Sequence, residues 1–135
     1  MPSQTDRYKG LASFRYTLRR FLAASEQLCH DAGVTAPQYQ AMLAIKAHDG
    51  DAMSMRDLAD HLLLTHHAAV QLVDRLGRND LASRAPSRDD RRSVVLMLTP
   101  KGEALVDDLA GKHLSYMVKL EPQLSKSLKG LKRLT

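Results

Sequence analysis

The stretch "MRDLADHLLLTHHAAVQLVDRLGRNDLASRAPSRDDRRSVVLMLTPKGEALV", residues 55–106, changes its hydrophobic rhythm twice. Met55, Leu58, Ala59 and Leu62 recur at three- and four-residue steps, as do Ala69, Leu72, Val73 and Leu76, which is the period of an amphipathic helix. Beyond Asn79 and Asp80, residues that tolerate a left-handed backbone, the spacing shortens. Leu81–Ala85 and Ser93–Leu98 read as two strands, the second β-branched and apolar, joined by a turn that begins at Pro86. Capping signals bracket these pieces. Ser54 and Asp57 have the spacing of a capping box with Asp in place of the usual Glu or Gln, Thr65 caps the next helix, and Thr99-Pro100 opens another.

Working outward, Tyr8, Leu11, Phe14 (or Arg15), Leu18, Phe21, Leu22 and Leu28 form the apolar stripe of a long helix over residues 6–30, ended by Gly33. Thr35 with Pro37 in the first turn starts a second helix through Tyr39, Met42, Leu43, Ile45 and Ala47, stopping near Gly50. After Thr99-Pro100 a long helix carries Leu105, Val106, Leu109, Leu114, Met117, Val118 and Leu120. Pro122 is expected to interrupt it, with a further helix resuming through Leu124, Leu128, Leu131 and Leu134. Two short helices joined by a tight turn and followed by a hairpin predict a winged helix-turn-helix, in which the second helix enters the DNA major groove and the hairpin is the wing. The expected fold is therefore mainly α with a small β-hairpin. One domain spans residues 1–135, with its winged core over about 36–98 and long helices over about 6–30 and 100–134.

At 135 residues the chain can bury one core, and its net charge of +5 favours an anionic partner. Arg84, Arg88, Arg91 and Arg92 gather against only Asp89 and Asp90 where the hairpin should protrude. No apolar run approaches the roughly 18 residues of a membrane span, and no secretory leader is visible, so a cytoplasmic protein without membrane association is expected. Cys29 is the single cysteine, which excludes an intramolecular disulfide, and no zinc-finger spacing occurs. No Ser-His-Asp, Cys-His or paired-carboxylate arrangement indicates an enzyme, and no catalytic residue, cofactor or metal is expected.

In residues 55–106 a Leu-Ala pair, the Leu-Val-Asp-Arg-Leu run of the second helix, the Asp-Arg-Arg of the wing and the Leu-Thr-Pro-Lys-Gly exit fall in register. This pattern resembles the MarR family of bacterial transcriptional regulators, and the resemblance extends over nearly the whole chain. It implies a homodimer on pseudo-palindromic double-stranded operator DNA, with the first and last helices forming the interface. It further implies a repressor released by a small-molecule effector, with a small aromatic as the candidate class. Three departures stand out: Leu63 and Asp80 replace frequent glycines, the former in the helix-turn-helix turn, and the last dimerisation helix is expected to be a turn or two short. A left-handed non-glycine residue costs roughly 1 kcal/mol, more awkward for Leu than for Asp.

The candidate DNA-binding residues are Thr65, His66, His67, Ala68, Gln71 and Arg75 on the second helix, and Arg88, Arg91 and Arg92 on the wing. Gln can read adenine bidentately, Arg can read guanine or hold phosphate, and Ala can touch a thymine methyl. Guanidinium groups at a wing tip suit the negative minor groove, and Asp90 is expected to stabilise the wing by orienting one of them. Phe14, Tyr16, Tyr39 and Met42 are candidates for an effector pocket, with simple core packing as the competing reading. Cys29 could sense oxidants, as thiols do in some members of that family, but those lie near the start of the first helix. Filling apolar space is the plainer role. His30, His61, His66 and His67 raise a metal-sensing alternative that lacks a matched carboxylate or second thiol. The alternative outside transcription is a winged-helix protein-interaction module without sequence-specific DNA binding.

Overall fold

The computed structural model describes residues 1–50, 52–87 and 93–135. Its elements run α1 (Gln4–Asp31), α2 (Ala36–Ala47), α3 (Met55–Leu62), α4 (His66–Arg78), β1 (Ala82–Pro86), β2 (Val94–Leu98) and α5 (Pro100–Lys132). The caps fall where the residue types demand them. Thr35 and Gln38 form a reciprocal capping box at α2, Ser54 and Asp57 another at α3, and Thr65 receives the Ala68 N–H at α4. The strands form one antiparallel hairpin with Ala82 opposite Leu98 and Pro86 opposite Val94, shifted by about a residue from the expected bounds.

One expectation is corrected. Pro122 does not divide the last helix; α5 continues through it for 33 residues. Proline removes one backbone donor and crowds the preceding turn, at a cost of roughly 3 kcal/mol. The apolar stripe continues on both sides, with Leu120 buried and Leu124 and Leu131 half-buried, so packing along the helix outweighs a local break.

The chain forms two compact units. The first comprises Met1–Leu28 and Gly111–Thr135. Here α1 approaches α5 closely at Gly10, where an added Cβ would lie 2.4 Å from the Leu134 Cδ1. The Phe21 and Tyr116 rings stand 6.3 Å apart, and the Ser25 hydroxyl shares a 2.8 Å hydrogen bond with the His113 Nε2 inside the buried seam. The stripe of α1 also divides in two: Phe14, Phe21 and Leu28 are half-buried, whereas Leu11, Leu18 and Leu22 are exposed.

The second unit, Cys29–Ala110, holds the winged core. Met42, Leu58, Leu76, Leu81 and Leu96 are all but inaccessible, and burying each such side chain contributes about 1.5–3 kcal/mol relative to leaving it exposed. The hairpin is tied to the helices by backbone as well as side chains. Leu96 donates its N–H to the Met53 carbonyl at 2.8 Å, and Ser54 bridges Val95, so the segment before α3 adds a short third edge to the wing.

Candidate nucleic-acid interface

Helix α4 separates its two faces cleanly. Ala69, Leu72, Val73 and Leu76 are buried, which leaves His66, His67, Gln71 and Arg75 in solvent on the opposite side. Ala68 and Val70 are half-buried between them. Thr65 is extended, and its hydroxyl accepts the Ala68 N–H at 3.1 Å, which fixes where the helix begins. Such a helix start carries partial positive charge, which favours an anion nearby.

The turn between α3 and α4, Leu63–Thr65, contains one strained residue. Leu63 adopts φ 56°, ψ 41°, the left-handed conformation, with its side chain 92% exposed. The strain is held by the chain on both sides: the Leu64 N–H donates to the Ala59 carbonyl at 2.9 Å, and the Ser54–Asp57 box anchors the start of α3. Hydrogen bonds from Ser54, the backbone N–H above all and then the hydroxyl, hold the Asp57 carboxyl below its ordinary range.

The far end of α4 is clamped by the Leu-Thr-Pro-Lys-Gly segment. Asp80 turns the chain at φ 57°, and its carbonyl accepts the Thr99 hydroxyl proton at 2.7 Å. The Thr99 N–H donates to the Leu81 carbonyl at 3.1 Å, while the same hydroxyl caps α5 by accepting the Gly102 N–H at 3.0 Å. The Lys101 ammonium reaches the Asn79 carbonyl at 3.1 Å. A Cβ on Gly102 would lie 2.1 Å from the Leu81 carbonyl oxygen, so this close crossing requires glycine. Thr99 and Gly102 thus position the recognition helix without facing its outer surface.

A further pair was missed in the sequence. The Arg84 guanidinium on β1 pairs with the Asp74 carboxylate on α4, linking wing to recognition helix. The helical period leaves Asp74 on the outward side of α4 and Arg84 stands in the arginine-rich stretch of the hairpin, but no spacing rule pairs residues on two different elements. Their outward positions on α4 and β1 were the available signal. Arg88, Asp89, Asp90, Arg91 and Arg92 lie outside the described residues. The described hairpin ends with the Ser87 N–H donating to the Ser93 carbonyl at 2.9 Å.

Of the effector-pocket candidates, Met42 and Tyr39 are buried in the second unit, where burial and then nearby Cys29 push the Tyr39 phenol above its ordinary range. Phe14 and Tyr16 belong to the first unit, with the Arg20 guanidinium 5.9 Å from the centre of the exposed Tyr16 ring. Cys29 is fully buried. Among the described residues no three His, Cys, Asp or Glu side chains converge as metal ligands, and no helix is long and apolar enough to cross a membrane.

Residues 32–93 match the model of the MarR family. The helix-turn-helix-type transcriptional regulator YhbI of Bacillus subtilis is 31% identical over 112 residues, covering 72% of this chain and 71% of the relative. The chain belongs to the MarR family. The MarR architecture is shared with AbsC, a MarR family regulator of Streptomyces coelicolor, at a TM-score of 0.79 and 20% identity over 98% of this chain and 90% of that one. It is also shared with a MepR variant from S. aureus bound to an oligodeoxyribonucleotide, at a TM-score of 0.68 and 23% identity over 90% and 88%. This MarR protein is accordingly a DNA-binding transcriptional regulator, and its winged helix-turn-helix is complete through both strands of the hairpin.

Proposed function

We propose that two copies of this chain pair and present their α4 helices to successive major grooves of a pseudo-palindromic operator, repressing transcription until a small effector releases them. The observation that carries this reading is the outward face of α4: a polar, basic surface on a helix fixed at both ends by Thr65 and by the Thr99–Gly102 clamp. Half-sites one turn apart require recognition helices about 34 Å apart, which one copy alone cannot supply. In this reading Gln71 and the imidazoles of His66 and His67 read base edges, Ala68 lies against a thymine methyl, and Thr65 and Arg75 hold phosphate. Arg88, Arg91 and Arg92 reach the neighbouring minor groove, with Asp90 orienting one of them.

The test is operator binding across a salt series. Replacing Arg91 and Arg92 with Ala should weaken binding to all sequences and lower the salt slope by about one unit per lost phosphate contact. Gln71→Ala should instead change the ranking of operator variants. A uniform loss across all sequences would remove Gln71 from base reading, and an unchanged salt slope would remove the wing arginines from phosphate contact.

A further inference from the structure

The two compact units differ in charge. Eleven of the 20 Lys and Arg residues lie in Met1–Leu28 and Gly111–Thr135, where Asp6, Glu26 and Glu121 are the only acids. Cys29–Ala110, the unit that carries α4, holds nine basic residues against twelve acidic ones, so the net charge of +5 originates entirely in the other unit. Base reading by α4 gives no reason for that placement.

Much of this charge is ordered along one line. Lys119 and Lys126 on α5 and Arg133 just beyond it follow at seven-residue steps, all exposed, with exposed Lys129 beside them. Seven residues rise about 10 Å along an α-helix and turn it by only about 20°, so the charges form a single stripe about 21 Å long. Buried Leu120 and half-buried Leu124 point roughly 120–160° from it on one side, and exposed Leu114 and Val118 roughly 80–120° from it on the other. The stripe thus stays clear of both apolar faces. Among the described residues none of its four cations is in a salt bridge.

Two grooves flank the stripe within the first unit, and both are lined by Lys126 and Gly130. The groove against α1, about 440 Å³, adds Arg20 and the hydroxyls of Ser13, Tyr16 and Ser127. Arg20 is positioned there by donating from Nη1 to the Gln123 Oε1 at 3.4 Å, with its guanidinium 5.9 Å from the Tyr16 ring centre. The second groove, about 550 Å³, is bounded by Lys126, Lys129 and Arg133 around Gly130, whose missing side chain leaves open space. Ammonium, guanidinium and hydroxyl donors in a row suit phosphodiester oxygens. A stripe of about 21 Å spans roughly six base pairs at 3.4 Å per phosphate of one strand. A sugar–phosphate ridge can enter such grooves, whereas a flat anionic lipid surface would leave them empty.

We propose that the Lys119–Lys126–Arg133 stripe of α5, with Arg20 of α1, is a second DNA contact that grips the duplex backbone without regard to sequence. The test is binding of the full chain to a random-sequence duplex across a salt series. Lys126→Gln with Arg133→Gln should weaken binding at least three-fold and lower the salt slope by about one unit per lost phosphate contact. Arg7→Gln with Lys9→Gln removes the same charge from the exposed start of α1 and should change both far less. Gly130→Leu, which fills the floor shared by the grooves at no change in charge, should also weaken binding at least three-fold. Equal losses from the two charge pairs would reduce the stripe to net charge alone, and full binding by the Gly130→Leu protein would remove the grooves. Phosphatidylserine vesicles or polyglutamate held as tightly as the duplex, with the same sensitivity to the stripe variants, would overturn DNA as the partner. The ranking of operator variants is measured on the same proteins and should be unchanged by the stripe substitutions; a change would mean that they act through α4. Because the duplex is random, failure of the operator reading leaves this result standing.

Discussion

Gly102 shows how one missing side chain sets the geometry of the wing's exit. Its position next to the Leu81 carbonyl lets Thr99 hydrogen-bond that carbonyl, the Asp80 carbonyl and the first turn of α5 at once. Because the obstacle to a Cβ is backbone, no rotamer change can relieve it. Gly102→Ala should therefore cost about 2 kcal/mol or more in denaturant unfolding. Gly111→Ala, in the same helix with open space around the new methyl, should be neutral or stabilise by up to about 1 kcal/mol. Equal effects at the two positions would show that the crossing at Leu81 is not tight. The resemblance singled out this glycine as a motif position, but its reason lies in a carbonyl 21 residues earlier in the chain. Leu63 is the converse case: a residue type poorly suited to its left-handed backbone is held there by the caps around it.

At the scale of elements, caps were the most readable feature because a cap is a contact among residues three apart. Ser54–Asp57, Thr65 and Thr99 all take the roles their types suggest. Pro122 misled because its local penalty is opposed by apolar packing along the rest of α5. The Asp74–Arg84 pair joins two elements and belongs at this scale. As a largely exposed ion pair it should contribute at most about 1 kcal/mol to stability, so its effect is expected in the placement of the wing. Asp74→Asn and Arg84→Gln should each lower the preference for operator over random DNA by several-fold, and the double variant should lose no more than the worse single. Additive losses in binding assays would mean that the two side chains act independently on DNA.

For the whole molecule, the apolar side chains left in solvent in the first unit are the informative ones. Leu114 is 64% and Val118 73% exposed on α5, and Leu11 and Leu22 are exposed on α1, an unusual density of bare aliphatic surface. If these faces form the dimer contact proposed above, Val118→Glu together with Leu114→Glu should yield a monomer by analytical ultracentrifugation and abolish tight operator binding. A dimer surviving both changes would place the contact elsewhere. Apart from the break expected at Pro122, the helices, their caps, the hairpin and the buried face of α4 are legible in the sequence, because period and capping depend on neighbours a few residues away. Three features are not: the crossing of Gly102 over Leu81, the pairing of Asp74 with Arg84, and the backbone bond from the Leu96 N–H to the Met53 carbonyl. Each depends on which surfaces meet once the helices pack, and hydrophobic burial, being non-directional, chooses those partners only in the assembled core.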